Sequence, residues 1–237
     1  MSEQILREAC VETQAEIDAA AFAGADRIEL CSRLDIGGLT PPLEMAEYAL
    51  SKKLNVAVMI REAEGFSVSD GIARLKAQMN AFCDTGIDAF VFGFLTLPKP
   101  CALSEENAAL NVSGEYKKTS GSTQSVKIDI DAVSELCAAA GGRETVFHMA
   151  FDELAQDAHF DAIDTLVRLG FTRVLTKGGH GKAEDNIAQL KRLNDYAASK
   201  PGFSILCGGG VTDGNYLTIA AKTGIRQFHG RRLAIGT

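Results

Sequence analysis

Four phrases of the chain follow one plan: FAGADRIEL, DTGIDAFVF, RLGFTRVLT and KTGIRQFH. Each passes from a helix-like stretch through a glycine, an apolar residue and a polar residue into an apolar strand. That is the end of one βα unit and the start of the next, joined by the short αβ loop such units prefer. Strands alternating with helices build a parallel sheet with helices outside it. Strands are expected at 4–10, 26–31, 55–61, 87–95, 145–151, 172–176, 203–207 and 225–229. Helices are expected at 13–23, 41–53, 69–85, 129–140, 156–169, 185–199 and 213–223. Eight strands favour a closed (β/α)8 TIM barrel over an open doubly wound sheet. The first strand is not followed by GxGxxG, which weakens a dinucleotide fold, and no nucleotide or flavin cofactor is indicated. A single domain over 1–237 is therefore expected.

Helix signals agree with this plan. Thr13 and Glu16 have the spacing of a capping box, and Pro41 or Pro42 suits a first helical turn. Gly24, Gly86, Gly141, Gly170 and Gly224 stand where left-handed caps are expected. Two irregularities remain. Only GRRLAIGT follows the eighth strand, so the last helix is truncated or missing, and a partner chain is one way to cover that seam. Residues 98–127 form a polar inserted loop after strand four, with a weak helical piece at 104–110.

Composition limits the function classes. The chain has 237 residues with 31 acidic and 24 basic side chains, a formal charge of −7, so a nucleic-acid partner is not expected. Its 46% hydrophobic content supports a full core, yet no apolar run reaches the length of a membrane span. The beginning, MSEQILREAC, does not read as a secretory signal. The six cysteines include no CxxC pair, and reduced thiols in the cytoplasm are the expectation.

Side-chain alternation predicts what the barrel mouth holds. With Val56, Val58 and Ile60 facing the helices, Ala57, Met59 and Arg61 point inward. The same reasoning turns Glu8, Cys10, Glu29 and Cys31 inward and sets His148 and Asp152 on one side of strand five. Arg61 is the expected partner of Glu8 and Glu29, because neighbouring buried carboxylates need a cation. Such a cluster either closes the barrel structurally or serves acid–base chemistry; Glu8, Glu29, Arg61, His148 and Asp152 are the catalytic candidates. The runs TKGGHG and CGGGVTDGN offer Gly178, Gly179, Gly208, Gly209 and Gly210 either as tight turns or as an anion cradle. Cys83 and Cys137 read as core filler, and Cys101 falls in the loop. Cys10 and Cys31 end adjacent strands, where they are either unreactive buried thiols or a soft pair suited to Cu(I).

The stretch GADRIELCSRLDIGGLTPP, with VMIR, VFGFLT, FHMAFD, LTKGG, CGGGV and FHG, resembles the CutC copper-homeostasis family. The likeness covers the chain apart from 98–127. It implies a cytoplasmic TIM barrel, a homodimer or tetramer, with Cu(I) held by the cysteines that fall here on Cys10 and Cys31. One departure stands out: after Arg61 the family continues with proline, arginine and two glycines, whereas this chain has Glu62-Ala63-Glu64-Gly65. The alternative reading is an enzyme of unknown substrate acting on a small phosphorylated or carboxylated metabolite, so the expected partner is a copper ion or a small anionic molecule.

Overall fold

The structure is a computed structural model that describes residues 4–68, 71–96 and 126–235. The elements run β1 (Leu6–Val11), α1 (Gln14–Phe22), β2 (Arg27–Leu30), α2 (Leu43–Ser51), β3 (Val56–Met59), α3 (Ile72–Cys83) and β4 (Ala89–Phe92). They continue with β5 (Leu95–Thr96), β6 (Lys127–Ile128), α4 (Ile130–Ala139), β7 (Glu144–Phe147), α5 (His159–Arg168) and β8 (Arg173–Thr176). The last are α6 (Ile187–Ala197), β9 (Ser204–Cys207), α7 (Tyr216–Thr223) and β10 (Gln227–Gly230). Eight of the strands close a barrel in the order β1-β10-β9-β8-β7-β4-β3-β2, every pairing parallel.

Local chemistry sets the element ends. Thr13 and Glu16 form the reciprocal capping box, satisfying two backbone N–H groups at the start of α1. Asp129 caps α4 singly, accepting from the Ala132 N–H at 3.1 Å. Gly24, Gly141, Gly170 and Gly224 take the left-handed conformation expected of them, whereas Gly86 does not. Pro42 lies just before α2 rather than within it, its extended backbone leading into Leu43.

The expected strand 145–151 is shorter. It stops at Phe147, and Met149–Glu153 coil into a 3-10 turn because the Ala150 N–H donates to His148 Nδ1 at 3.1 Å. The expected strand 87–95 is likewise split, Leu95–Thr96 leaving the barrel to pair antiparallel with Lys127–Ile128. The rest of the expected insertion, with Cys101 and the weak helix at 104–110, lies outside the described residues. No helix follows β10 among the described residues; instead Leu233 is fully buried, and Ala234 N donates to Asp213.

Two apolar layers result from the strand alternation. Ile28, Leu30, Val56, Val58, Phe90, Phe92 and Phe147 face outward and pack under the helices. Burying one such side chain contributes roughly 1.5–3 kcal/mol. The inner layer is smaller, with Ala57, Met59, Ala89, Val91, Val146, Leu175 and Leu206 around Cys10 and Cys31. Below it, the first residues of several strands turn polar groups inward. Arg27 and Arg173 both donate to Glu144, Arg173 to Gln227 at 2.6 Å, and Gln227 to Ser204 at 3.0 Å. Among the described residues the barrel thus carries a polar layer at its N-terminal end and a small apolar layer around the two cysteines, with a cavity at its C-terminal mouth.

Candidate functional site

The mouth holds a cavity of about 460 Å³ whose wall includes Cys10, Glu29, Cys31, Met59, His148 and His229. Register explains the convergence. Glu8 stands opposite Arg27 on one side and His229 on the other, while Cys10 stands opposite Glu29. Side chains separated by up to 221 residues therefore meet in one layer.

Charge pairing differs from the sequence expectation. Arg27, not Arg61, is the partner of Glu8, forming a close buried ion pair through Nε. The opposite face of Glu8 meets His229 Nδ1 at 2.8 Å, and Glu29 lies 3.3 Å from the same nitrogen. The strands are staggered so that Arg27, first in β2, sits directly beside Glu8, whereas Arg61 follows the end of β3 and lies above the cluster. There Arg61 donates to the carbonyls of Ile36, Gly37, Gly38, Ala63 and Gly65. Glycine is required at Gly37, since φ is +86° and an added Cβ would lie 3.1 Å from Arg61 Nη1.

These contacts assign protonation states. Burial would raise the Glu8 carboxyl, but Arg27 and His229 outweigh it and hold it at about 2. For Glu29 burial, helped by the nearby Cys10 and Glu8 charges, outweighs His229 and pushes it up to about 8. Burial disfavours a charged His229, yet Glu29, Cys10 and Glu8 outweigh that and raise it well above the ordinary imidazole range. Cys10 is brought down to about 6, first by the hydrogen bond from Cys31 and then by His229, while Cys31 is pushed up as the donor. Cys31 also reaches Glu29 Oε1 at 3.4 Å. The site is therefore a thiolate–thiol pair beside a protonated acid and an imidazolium.

Proton uptake on folding gives this cluster a pH signature. Between about pH 6.5 and 8 the folded chain keeps protons on Glu29 and His229 that the unfolded chain releases. Cys10 acts in the opposite sense, being ionised when folded and protonated when unfolded. The balance is one extra proton bound in the native state, so stability falls as pH rises through this window, by on the order of 1 kcal/mol per pH unit. Glu29→Gln removes one of the two native protons and should flatten the slope. Urea unfolding at several pH values tests this, and an unchanged slope in Glu29→Gln would contradict the assignment.

The remaining candidates separate into two groups. His148 lines the cavity, and burial followed by the nearby Arg61 charge lowers it to about 3, so it is neutral. Asp152 instead faces the TKGG turn. Thr176 Oγ1 donates to it at 2.5 Å, and the N–H groups of Lys177 and Gly179 donate at 3.1 Å each. Burial raises the Asp152 pKa against these bonds. The anion cradle expected of Gly178 and Gly179 thus holds a carboxylate of the chain itself, with the Gly178 N–H given to Thr176 Oγ1. Gly208 donates to the Thr176 carbonyl, and Gly209 and Gly210 lie against the stems of Lys177 and Lys182.

Glu8, Glu29 and His229 bring one ligand atom each within 4.8 Å of one another. A hard cation there would have to displace the His229 proton and accept Arg27 as a neighbour, so the set fits such an ion poorly. Cys10 and Cys31 with the thioethers of Met59 and Met149, all in the cavity wall, form a softer donor set. Arg27 and Met149 were not singled out from the sequence, and Met59 only as an inward-facing side chain. Arg27 shares the parity of Glu29 and Cys31, which was the available signal.

Known proteins match along nearly the whole length. The model of the CutC family matches residues 5–111 and 118–234, so of the stretch 98–127 only 112–117 fall outside the likeness. A CutC family protein of Streptococcus pyogenes is 33% identical over 97% of this chain and 100% of its own length. The human protein named copper homeostasis protein cutC homolog is 34% identical over 94% of this chain and 72% of its own. The crystal structure of CutC from Streptococcus agalactiae superposes with a TM-score of 0.79 at 34% identity, covering 97% of this chain and all of that one. A deoxyribose phosphate aldolase from Aeropyrum pernix, with a TM-score of 0.62 at 13% identity over 94% of this chain and 84% of its own, shares the barrel fold. Family match, relatives and superposition agree from β1 to β10: the chain belongs to the CutC family.

Proposed function

We propose that this protein acts in copper homeostasis, taking Cu(I) as cargo on Cys10 and Cys31 at the barrel mouth. The observation that carries the reading is geometric: the two cysteines, from the adjacent strands β1 and β2, lie in one inner layer and line the same cavity. Thiolate and thioether donors select Cu(I), and two thiolates suffice for it although they are too few for a structural zinc site. Loading releases the remaining proton, which is carried by Cys31, so affinity rises with pH. The human relative's name supports the copper role, and the five free cysteines among the described residues suit a reducing cytoplasm. Among those residues no helix is long and apolar enough to cross a membrane. The homodimer or tetramer implied by the family resemblance belongs to the same proposal.

Anaerobic competition against a chromophoric Cu(I) chelator tests the site. One Cu(I) per chain is expected. Cys10→Ser and Cys31→Ser should each weaken binding by more than the about 10–100-fold typical of losing an outer-shell partner. Met59→Leu and Met149→Leu should have smaller effects. Parental affinity in the Cys10→Ser/Cys31→Ser double variant would overturn the reading.

A further inference from the structure

The cavity is far larger than a metal ion, and its volume falls in the range of small-molecule sites, about 300–1,000 Å³. Two side chains in its wall carry hydrogen-bond donors that none of the described residues accepts. The first is Arg61, which is only 5% exposed and forms no close ion pair among the described residues, the opposing charge that acts on it being that of the exposed Glu64. Its Nε–H and both Nη1 hydrogens go to the carbonyls of Gly37, Gly38, Ala63 and Gly65, and Nη2 gives one hydrogen to Ile36. A guanidinium has five N–H donors, so the other Nη2 hydrogen has no acceptor among those residues. Its neighbours are neutral carbonyls, which orient the group without cancelling its charge. A buried charge without a counter-ion costs several kcal/mol.

The second is His148, also buried. Its Nδ1 accepts the Ala150 N–H, which leaves the proton of the neutral ring on Nε2. His148 Nε2 is buried without a hydrogen-bond partner among the described residues. Phe66 rests against both groups, 5.3 Å from the Arg61 guanidinium and 5.3 Å from the His148 ring. Lys177 adds a half-buried cation to the same wall, whereas Glu64 and Glu153 line it from exposed positions where solvent screens them.

We propose that the cavity binds a small organic anion, a carboxylate or a phosphate monoester, whose oxygens accept from Arg61 Nη2 and His148 Nε2 as Phe66 turns aside. An oxyanion supplies the missing countercharge and satisfies both donors at once, and charge-assisted bonds of this kind are about twice as strong as neutral ones. The apolar lining by Leu34, Ile36 and Leu175 accommodates a short carbon skeleton. Copper is not needed for this site, and its failure would leave the Cys10–Cys31 reading untouched.

The test is calorimetric titration of the intact protein in the presence of excess Cu(I) chelator. Inorganic phosphate is the titrant in one arm and succinate in the other, so that the arms separate phosphate from carboxylate recognition. Saturable binding of at least one is expected. Arg61→Lys and His148→Phe should each weaken it by about tenfold or more, the equivalent of one lost charge-assisted contact. Circular dichroism checks that each variant is folded, and either alone suffices for the comparison. The proposal is overturned if neither anion binds at about 10 mM, or if the folded variants bind as tightly as the parent.

Discussion

Replacing Arg27 with methionine should destabilise the barrel by about 3–5 kcal/mol, because Glu8 then stays buried beside an apolar chain with its main cation gone. Glu8 is fully buried and Arg27 is 3% exposed, so solvent does little to screen the loss. For a chain of this size the cost corresponds to a fall in melting temperature of about 10 °C or more. The double variant Arg27→Met/Glu8→Gln should recover much of it, since the uncompensated charge is gone. Acid sensitivity should move as well. In the parent, Glu8 is held at about 2 against an ordinary 4.5, so its contribution is complete above about pH 4.5 and disappears as pH falls through about 2. Without Arg27 the carboxyl protonates at higher pH, and the acid-unfolding midpoint should rise. Thermal scans from pH 3 to 7 check both effects; an Arg27→Met protein that melts like the parent would show that the pair is dispensable.

Gly230→Ala should also be damaging, for a steric reason. A Cβ at this position would lie 2.4 Å from the Val211 carbonyl oxygen and 3.4 Å from Leu233 Cβ. The obstacle is backbone, which cannot rotate away as a side chain can. Either β10 or the turn after β9 must move, and overpacking of this kind costs about 1–3 kcal/mol and occasionally more. Because His229 precedes Gly230, the shift also pulls the imidazole from Glu8 and Glu29. Gly214→Ala is the matched control, its Cβ meeting only Thr212 Oγ1 at 3.6 Å. Denaturant midpoints should fall clearly for Gly230→Ala and stay near the parent for Gly214→Ala. Equal midpoints for the two would contradict the packing argument.

Alternation along single strands carried most of the site in the sequence. The parity that turns Val56 and Val58 outward also sends Ala57 and Met59 inward, and that of Ile28 and Leu30 does the same for Glu29 and Cys31. One step further back it includes Arg27. What alternation could not supply is stagger between strands. Nothing in the spacing of residues 8, 27 and 229 says that Glu8 lies level with both Arg27 and His229, because register follows from closure of the whole sheet. Loop conformation was equally hidden. Five carbonyls from two separate turns surround Arg61, and Asp152 fills the TKGG turn, and neither arrangement leaves a mark in residue type.

The polar girdle at the N-terminal end has a kinetic consequence. Arg27, Glu144, Arg173, Gln227 and Ser204 bond to one another inside the N-terminal end of the barrel, and above them Glu8, Ala57, Ala89, Val146 and Leu206 leave almost no surface for water. As far as the described residues build it, the barrel is a blind vessel rather than a conduit. On the proposed copper reading, Cu(I) departs by the route it entered, so its donor and its acceptor compete for one opening. Transfer through such a vessel proceeds by successive exchange, and an excess of the donor should slow delivery to the acceptor.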